Sequence, residues 1–265
     1  MENAYRPSDL VFNGDRVTRF GFYSKVFLYF GLGILLTAGT TILMSVIFNS
    51  IWPMYTLDGK EIVQNATSAM TYYVLTTVSS ILLIALSLVI TFTSLRGRGS
   101  IKIPYILYSI CMGIMLSTIS FYISNMYIIG LALFVTAVLF LSMCAIGYIT
   151  HQKINIFARV AFALLICVGI LCLVNFVILP FALFGGNYEL ANAYMWIYWI
   201  VEIGLLALFL IYTVIDMARI RRVAENGGGN DNLALFFAMN LYLDFINIFI
   251  YVLRFLIVLV SNKDN

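Results

Sequence analysis

The amino-acid sequence predicts an all-α integral membrane protein with seven transmembrane helices, six of them wrapped around a central C-terminal helix seven. Three observations lead to this fold class. Of the 265 residues, 63% are hydrophobic and 10% are charged, whereas soluble domains carry about 25% charged residues. Seven apolar runs reach the length of about 20 residues that a bilayer crossing needs. The last run carries polar residues along one helical face, which the other helices must cover.

The seven apolar runs alternate with short polar segments. Residues 1–24 are polar and mixed in charge, so we expect a cytoplasmic N-terminal tail, followed by a single seven-helix transmembrane domain over 25–265. The first run is too long for a signal-peptide core and is expected to be a retained helix. We expect a loop over 49–69, and we expect Pro180 to close helix five. The predicted helices span residues 26–48, 70–95, 103–123, 126–149, 156–179, 195–217 and 233–260.

The basic residues predict an orientation with the N-terminus inside and the C-terminus outside, because cytoplasmic segments of membrane proteins are enriched in Lys and Arg. Only Lys60 and Lys263 fall in segments on the outer side, and Arg254 falls within the membrane. The other basic residues all fall on the inner side: Arg6, Arg16, Arg19, Lys25, Arg96, Arg98, Lys102, Lys153, Arg159, Arg219, Arg221 and Arg222.

Helix seven carries the polar face on which the predicted fold depends. Asn240, Asp244, Asn247, Tyr251 and Arg254 follow one another at spacings of 4, 3, 4 and 3. This spacing places all five on one side of a helix. A carboxylate or a guanidinium in mid-membrane costs about 3 kcal/mol on insertion scales, so this face must be buried against protein or water.

Two acids and one base are expected at the same depth in the inner third of the membrane. Counting back about 20 residues from the outer end of helix seven places Asp244 about one turn inside the inner boundary. Asp216 of helix six reaches a similar depth, just before the arginine cluster at 219–222, which we expect in the loop that follows helix six. Arg96 ends helix two at that level as well.

Two carboxylates within hydrogen-bonding distance in a low dielectric cannot easily both ionise, so they tend to share a proton. A nearby arginine favours the ionised form, so such a cluster changes its protonation with pH. When ionised, the same oxygens suit a hard cation such as Ca²⁺. The alternative is structural: Asp216 only pairs with nearby arginines, and Asp244 is a buried structural acid. The residues alone leave both interpretations open.

Further out, Arg254 lies about 15 Å from Asp244 along helix seven. There it can pair with Glu202 of helix six or place a fixed positive charge in a pathway. We therefore treat Asn240, Asn247, Tyr251, Arg254 and Glu202 as candidate ion-pathway residues.

Enzymatic chemistry is not expected. His151 is the only histidine and lies in a predicted loop, which leaves no multi-histidine metal site and no evident catalytic triad. The four cysteines all fall within apolar runs, so we expect them to be buried apolar residues.

Three segments carry a resemblance to a known family. YLDFINIFIYVLRF at 242–255 closely resembles the C-terminal signature of the Bax inhibitor-1 family, also called the transmembrane Bax-inhibitor-motif family. FGLGILLTA at 30–38 is similar to the N-terminal pattern of that family, and IYTVID at 211–216 is similar to its helix-six motif. The resemblance covers all seven predicted spans and most of the chain.

The resemblance implies a fold of six helices around a central seventh, and a pH-sensitive Ca²⁺ leak in bacterial members. The di-aspartyl sensor of the family falls on Asp216 and Asp244, and its latch arginine on Arg96, with Arg98 as the alternative. The chain departs from the pattern in three places. Helix two has no carboxylate, Ile215 stands before Asp216 where a tyrosine is common, and the loop between helices six and seven is longer.

From the resemblance we expect a pH-sensitive calcium leak channel that is gated by the di-aspartyl pair, with Asp216 and Asp244 as transient calcium ligands. Calcium is then the permeant ion and no cofactor is expected. The expected partners are the lipid bilayer, calcium, protons and other membrane proteins, with no nucleic acid, and the expected location is a bacterial plasma membrane. The alternative is a non-conducting membrane regulator that binds membrane proteases or stress and cell-death factors. Whether protonation opens or closes the path stays open.

Overall fold

The computed structural model describes residues 19–51, 54–57, 60–63, 66–96, 100–118, 126–150, 154–184, 188–227 and 229–261. Within these residues the chain forms seven helices and one two-stranded hairpin. The elements are α1 (Arg19–Ile51), β1 (Met54–Leu57), β2 (Lys60–Val63), α2 (Ala66–Arg96), α3 (Lys102–Ser117), α4 (Met126–Ile149), α5 (Ile154–Phe184), α6 (Tyr188–Glu225) and α7 (Asp231–Ser261). Each helix overlaps one predicted run, which confirms the seven helices.

Among the described residues, six helices are long and apolar enough to cross a membrane. The chain is therefore a multi-pass integral membrane protein. The exception is α3, which is 16 residues long in the described part of the chain. The sequence predicted this helix over 103–123, and residues 119–125 lie outside the described residues.

Several predicted helix ends are wrong. Helix α1 begins at Arg19 and α6 at Tyr188, before the predicted starts at 26 and 195, and two helices run past their predicted ends. The arginines at 219, 221 and 222 were expected in a loop, but α6 continues through them to Glu225, because arginine is a good helix former. Similarly, α5 continues through Pro180 to Phe184. Transmembrane helices tolerate an internal proline, since neighbouring groups satisfy the freed backbone carbonyl.

The predicted loop at 49–69 contains the hairpin of β1 and β2, which was not predicted. The strands are antiparallel, with Met54 opposite Val63 and Leu57 opposite Lys60. The missed signal was the Asp-Gly pair at 58–59 between short stretches that contain aromatic and β-branched residues, a sequence that favours a tight two-residue turn.

The chain divides into two compact units. The first comprises residues 1–125 and 223–242, and the second comprises 126–222 and 243–265. Helix α7 therefore contributes its first part to one unit and the remainder to the other.

In the first unit, a polar contact deep in the packing joins α7 to α1. Tyr242 is fully buried, and its hydroxyl lies 2.6 Å from the Thr37 hydroxyl. Its ring meets the rings of Tyr105 and Tyr108 edge-on, with centroids 5.9 and 6.2 Å away. This geometry is favourable for aromatic pairs. Hydrogen bonds of this kind join transmembrane helices.

Glycine at position 33 allows α1 and α3 to approach. A methyl group there would lie 2.0 Å from the Tyr105 hydroxyl oxygen, and that hydroxyl donates a hydrogen bond to the carbonyl of Tyr29 at 2.9 Å.

At the start of α7, Asp231 forms an ion pair with Lys25 of α1. The Asn230 side chain accepts a hydrogen bond from the Leu233 amide at 2.9 Å, which caps the helix.

In the second unit, α5 and α6 share an apolar cluster. It contains Ile154 and Ala161 of α5 with Leu208, Ile215 and Ala218 of α6.

The cysteine prediction is half right, because Cys111 and Cys144 are buried whereas Cys167 and Cys172 are exposed. Both exposed cysteines lie on α5, outside the residues of that cluster.

Candidate functional site

The two predicted aspartates both lie in the second unit, and both are buried. Asp216 of α6 is 6% exposed and Asp244 of α7 is 5% exposed. The two carboxyl groups are close enough to interact electrostatically. Buried like charges repel strongly in a low dielectric. The sequence had expected the pair from depth alone, and the structure buries both carboxyl groups within electrostatic range of each other.

Asp216 has a basic partner on its own helix. The Arg219 Nη1 atom donates to Asp216 Oδ1 at 3.2 Å, across one helical turn. The Arg219 side chain is 47% exposed, so it reaches a buried acid from a position at the surface. Residues three apart on a helix are neighbours, and this spacing was visible in the sequence.

Asp244 is less well satisfied than Asp216. Within the described part of the chain, its Oδ2 atom has no hydrogen-bond partner. The Thr213 hydroxyl lies against the carboxyl group, but it also donates to the Phe209 carbonyl at 3.0 Å. A hydroxyl has one hydrogen, so Asp244 receives at most a shared bond. A buried carboxyl without its full set of partners is costly.

Helix α4 forms a third side of this site. The Cys144 thiol is close enough to Asp244 to interact electrostatically, and Phe140 meets Phe245 edge-on at 5.4 Å. One turn along, a methyl group on Gly147 would lie 2.5 Å from the Val214 carbonyl oxygen. This close approach of α4 to α6 depends on glycine. Thr213 and Cys144 were not predicted from the sequence, since neutral residues carry no signal of their depth in the membrane.

The arrangement can bind a proton or a small cation. Two buried carboxyls facing one guanidinium carry a net negative charge when both are ionised, and a proton or a cation removes this charge. Among the described residues, no group of three or more His, Cys, Asp or Glu side chains is arranged to hold a metal ion. The pair therefore offers a cation two carboxylates, which suits brief contact more than a resident metal.

A second polar cluster lies further along α7, also within the second unit. Arg254 Nη1 donates to Glu202 Oε1 at 2.6 Å, which is the partner that the sequence suggested. Glu202 is 8% exposed, and its Oε2 atom has no partner among the described residues. Tyr198 lies against both charged groups.

The remaining candidate residues fall in different environments. Asn247 donates to the Leu243 carbonyl of its own helix at 2.7 Å, and Tyr251 stacks on Phe209 at 5.9 Å. Asn240 is half-buried in the first unit. The side chain of Arg96 and the whole of Arg98 lie outside the described residues. The guanidinium that the structure places at Asp216 is that of Arg219.

Comparison with known proteins gives a match over most of the chain. A family model described as "Inhibitor of apoptosis-promoting Bax1" matches residues 19–261, which include both aspartates and the pair of Glu202 and Arg254. The inner membrane protein YbhL of Escherichia coli strain K12 is 30% identical over 177 residues, which cover 64% of this chain and 69% of that protein. YbhL of Escherichia coli O6:H1 matches with the same identity and coverage.

Proposed function

The chain belongs to the family of inhibitors of apoptosis-promoting Bax1, the Bax inhibitor-1 family, and on this premise we propose that it is a pH-sensitive calcium leak channel. The observation that carries the proposal is the Asp244 carboxyl. It is buried in a transmembrane helix beside a second buried acid, and one of its oxygens has no partner among the described residues. A buried ionisable group inside a membrane helix is a functional candidate by default.

The di-aspartyl pair between α6 and α7 is the proposed gate. When the pair holds a proton, the repulsion between the carboxyl groups is relieved; when both are ionised, the repulsion favours separation or a bound cation. Arg219 offsets one of the two charges, so Asp244 is the acid whose charge changes the local balance most. We propose Arg96, the latch arginine implied by the family, as a second basic partner of the aspartate pair.

Calcium is the proposed permeant ion. Hard oxygen ligands are those that Ca²⁺ prefers, and the pair offers only oxygens. Asp216 and Asp244 would contact the ion briefly, and the pathway would continue outward past Asn247 and Tyr251 to the pair of Glu202 and Arg254. Asn240 would lie at the inner end of this pathway. The name of the related YbhL proteins supports a location in a bacterial inner membrane.

The proposed topology has the N-terminus inside, the C-terminus outside and six helices around α7. The distribution of basic residues supports the orientation. The likeness of residues 242–255 to the family's C-terminal signature supports a central position for α7. Reporter fusions to the C-terminus test the orientation: activity of a cytoplasmic reporter there would contradict it.

Calcium flux into vesicles tests the channel proposal. The full chain is reconstituted into vesicles loaded with a calcium-sensitive dye, and uptake is followed at acidic and at neutral pH. We expect the wild type to conduct with a pH-dependent rate, and both Asp216→Asn and Asp244→Asn to lose that dependence. The matched control is Asp231→Asn on α7, which makes the same chemical change at a partly exposed acid and should keep the wild-type response. Unchanged flux and pH response in both aspartate variants would overturn the proposal.

A second candidate is a non-conducting regulator that binds other membrane proteins. The observation that favours it is charge pairing: Asp216 is paired with Arg219, and Glu202 is paired with Arg254. The second pair joins α6 to α7 and can serve structure alone, and the first neutralises a buried acid within α6. Cells that carry a variant shown to be flux-dead in vesicles distinguish the two, because a regulator would keep its cellular effect and a channel would lose it.

A further inference from the structure

Helix α5 has a clearly defined inner face. Ile154, Ala161 and Val168 are buried on it, and Phe157 and Leu164 pack against the same apolar cluster. These positions recur at intervals of three and four residues, which defines one side of a helix. The opposite side of α5 is therefore left without protein cover in the second unit.

Arg159 lies on that opposite side. At about 100° per residue, it is about 160° around the helix from both Phe157 and Ala161. Its neighbours one turn away are exposed as well, with Ile156 at 57% and Phe162 at 64%. The Arg159 side chain is itself exposed. An arginine thus stands in an apolar surface of a candidate span that runs from Ile154 to Ile178.

No protein group in the described part of the chain neutralises Arg159. None of those residues forms a hydrogen bond or ion pair with its guanidinium. The linker at 151–153 between α4 and α5 contains no acid, so it offers no carboxylate either. Asn155, one turn before Arg159, is exposed on the same side and adds amide donors to this surface.

A guanidinium on an exposed apolar surface, without a partner among the described residues, needs an anion. Arg159 lies five residues from the start of α5, a rise of about 7.5 Å, so a side chain that extends along the helix can reach the headgroup layer. The groups available there are lipid phosphates, which accept the forked donors of arginine in pairs. We infer that Arg159, with Asn155, forms a binding site for the phosphodiester headgroup of an anionic phospholipid such as phosphatidylglycerol. This inference does not depend on calcium conduction.

Retention of lipid by the purified full chain tests the inference. Protein is extracted from vesicles that contain equal amounts of phosphatidylglycerol and phosphatidylcholine, and the bound lipids are counted by native mass spectrometry. We expect wild type to retain phosphatidylglycerol preferentially and Arg159→Gln to bind it about five-fold more weakly, as is usual for one basic residue near a membrane surface. We expect Arg159→Lys to keep most of the preference, since it keeps the charge.

Lys102→Gln is the matched control, because it removes one exposed positive charge at the start of α3. Equal retention by wild type and Arg159→Gln would overturn the inference, as would an equal loss in Lys102→Gln. A change of oligomeric state in Arg159→Gln with unchanged lipid retention would assign the residue to a protein contact instead. If soluble glycerophosphoglycerol at equal concentration displaces the lipid, the site binds a free headgroup, which would contradict a membrane lipid as its ligand. Arg159→Ala, which favours the helix, is the second variant if Arg159→Gln does not purify as a single species.

Discussion

The close approach of α4 to α6 beside the aspartate pair can be tested by adding one methyl group. In Gly147→Ala, the new Cβ would lie 2.5 Å from the Val214 carbonyl oxygen and 3.0 Å from the Met217 Cβ atom. Ordinary contact begins near 3.4 Å, so the helices must separate by about 0.9 Å or distort. Overpacking of this kind costs about 1–3 kcal/mol, and we expect the variant to be destabilised by that amount relative to a glycine-to-alanine change without a clash.

Gly130 supplies that reference on the same helix. A methyl group there meets nothing within 4 Å, so Gly130→Ala should gain the higher helix propensity of alanine, about 1 kcal/mol. The unfolding midpoints of both variants are measured in one detergent and lipid mixture. At about 2–4 °C per kcal/mol, Gly147→Ala should unfold several degrees below Gly130→Ala. Equal midpoints, or a higher midpoint for Gly147→Ala, would refute the close approach of α4 and α6.

Two further predictions concern the polar contacts on α7. Arg254→Gln should destabilise the protein more than Glu202→Gln, by up to about 3–5 kcal/mol, because it leaves the buried Glu202 carboxylate without its partner. In Glu202→Gln, the half-exposed arginine can instead turn to water. Unfolding midpoints in the opposite order would contradict this. Tyr242→Phe should cost about 0.6 kcal/mol and at most about 1.7, since it loses the hydroxyl contact with Thr37 and keeps the ring. A double-mutant cycle with Thr37→Val measures the pair, and strictly additive costs would count against the bond.

The sequence was sufficient to predict the helices and the aspartate pair. Long apolar runs define membrane spans without any knowledge of packing. Counting residues from the membrane boundary then gives depth, and depth alone was enough to bring Asp216 and Asp244 to one level. The same argument from position suggested Glu202 as the partner of Arg254, and the structure has this ion pair.

The rest of the site depends on the direction in which each helix faces, which depth does not give. The predicted basic partner of Asp216 was Arg96 on another helix, and its side chain lies outside the described residues, so that role stays a prediction. Arg219, only one turn away on the same helix, was assigned to a loop because the end of α6 was placed too early. Thr213 and Cys144 are neutral and become part of the site only through packing.

The measurement that tests the central claim most directly is a pH titration of carboxyl groups by infrared difference spectroscopy on the reconstituted full chain. The claim is that the pair of Asp216 and Asp244 binds a proton within the membrane. It predicts a protonated-carboxyl band that grows as pH falls, is lost in Asp244→Asn and persists in Asp231→Asn. A band that is unchanged in both Asp244→Asn and Asp216→Asn would contradict the claim.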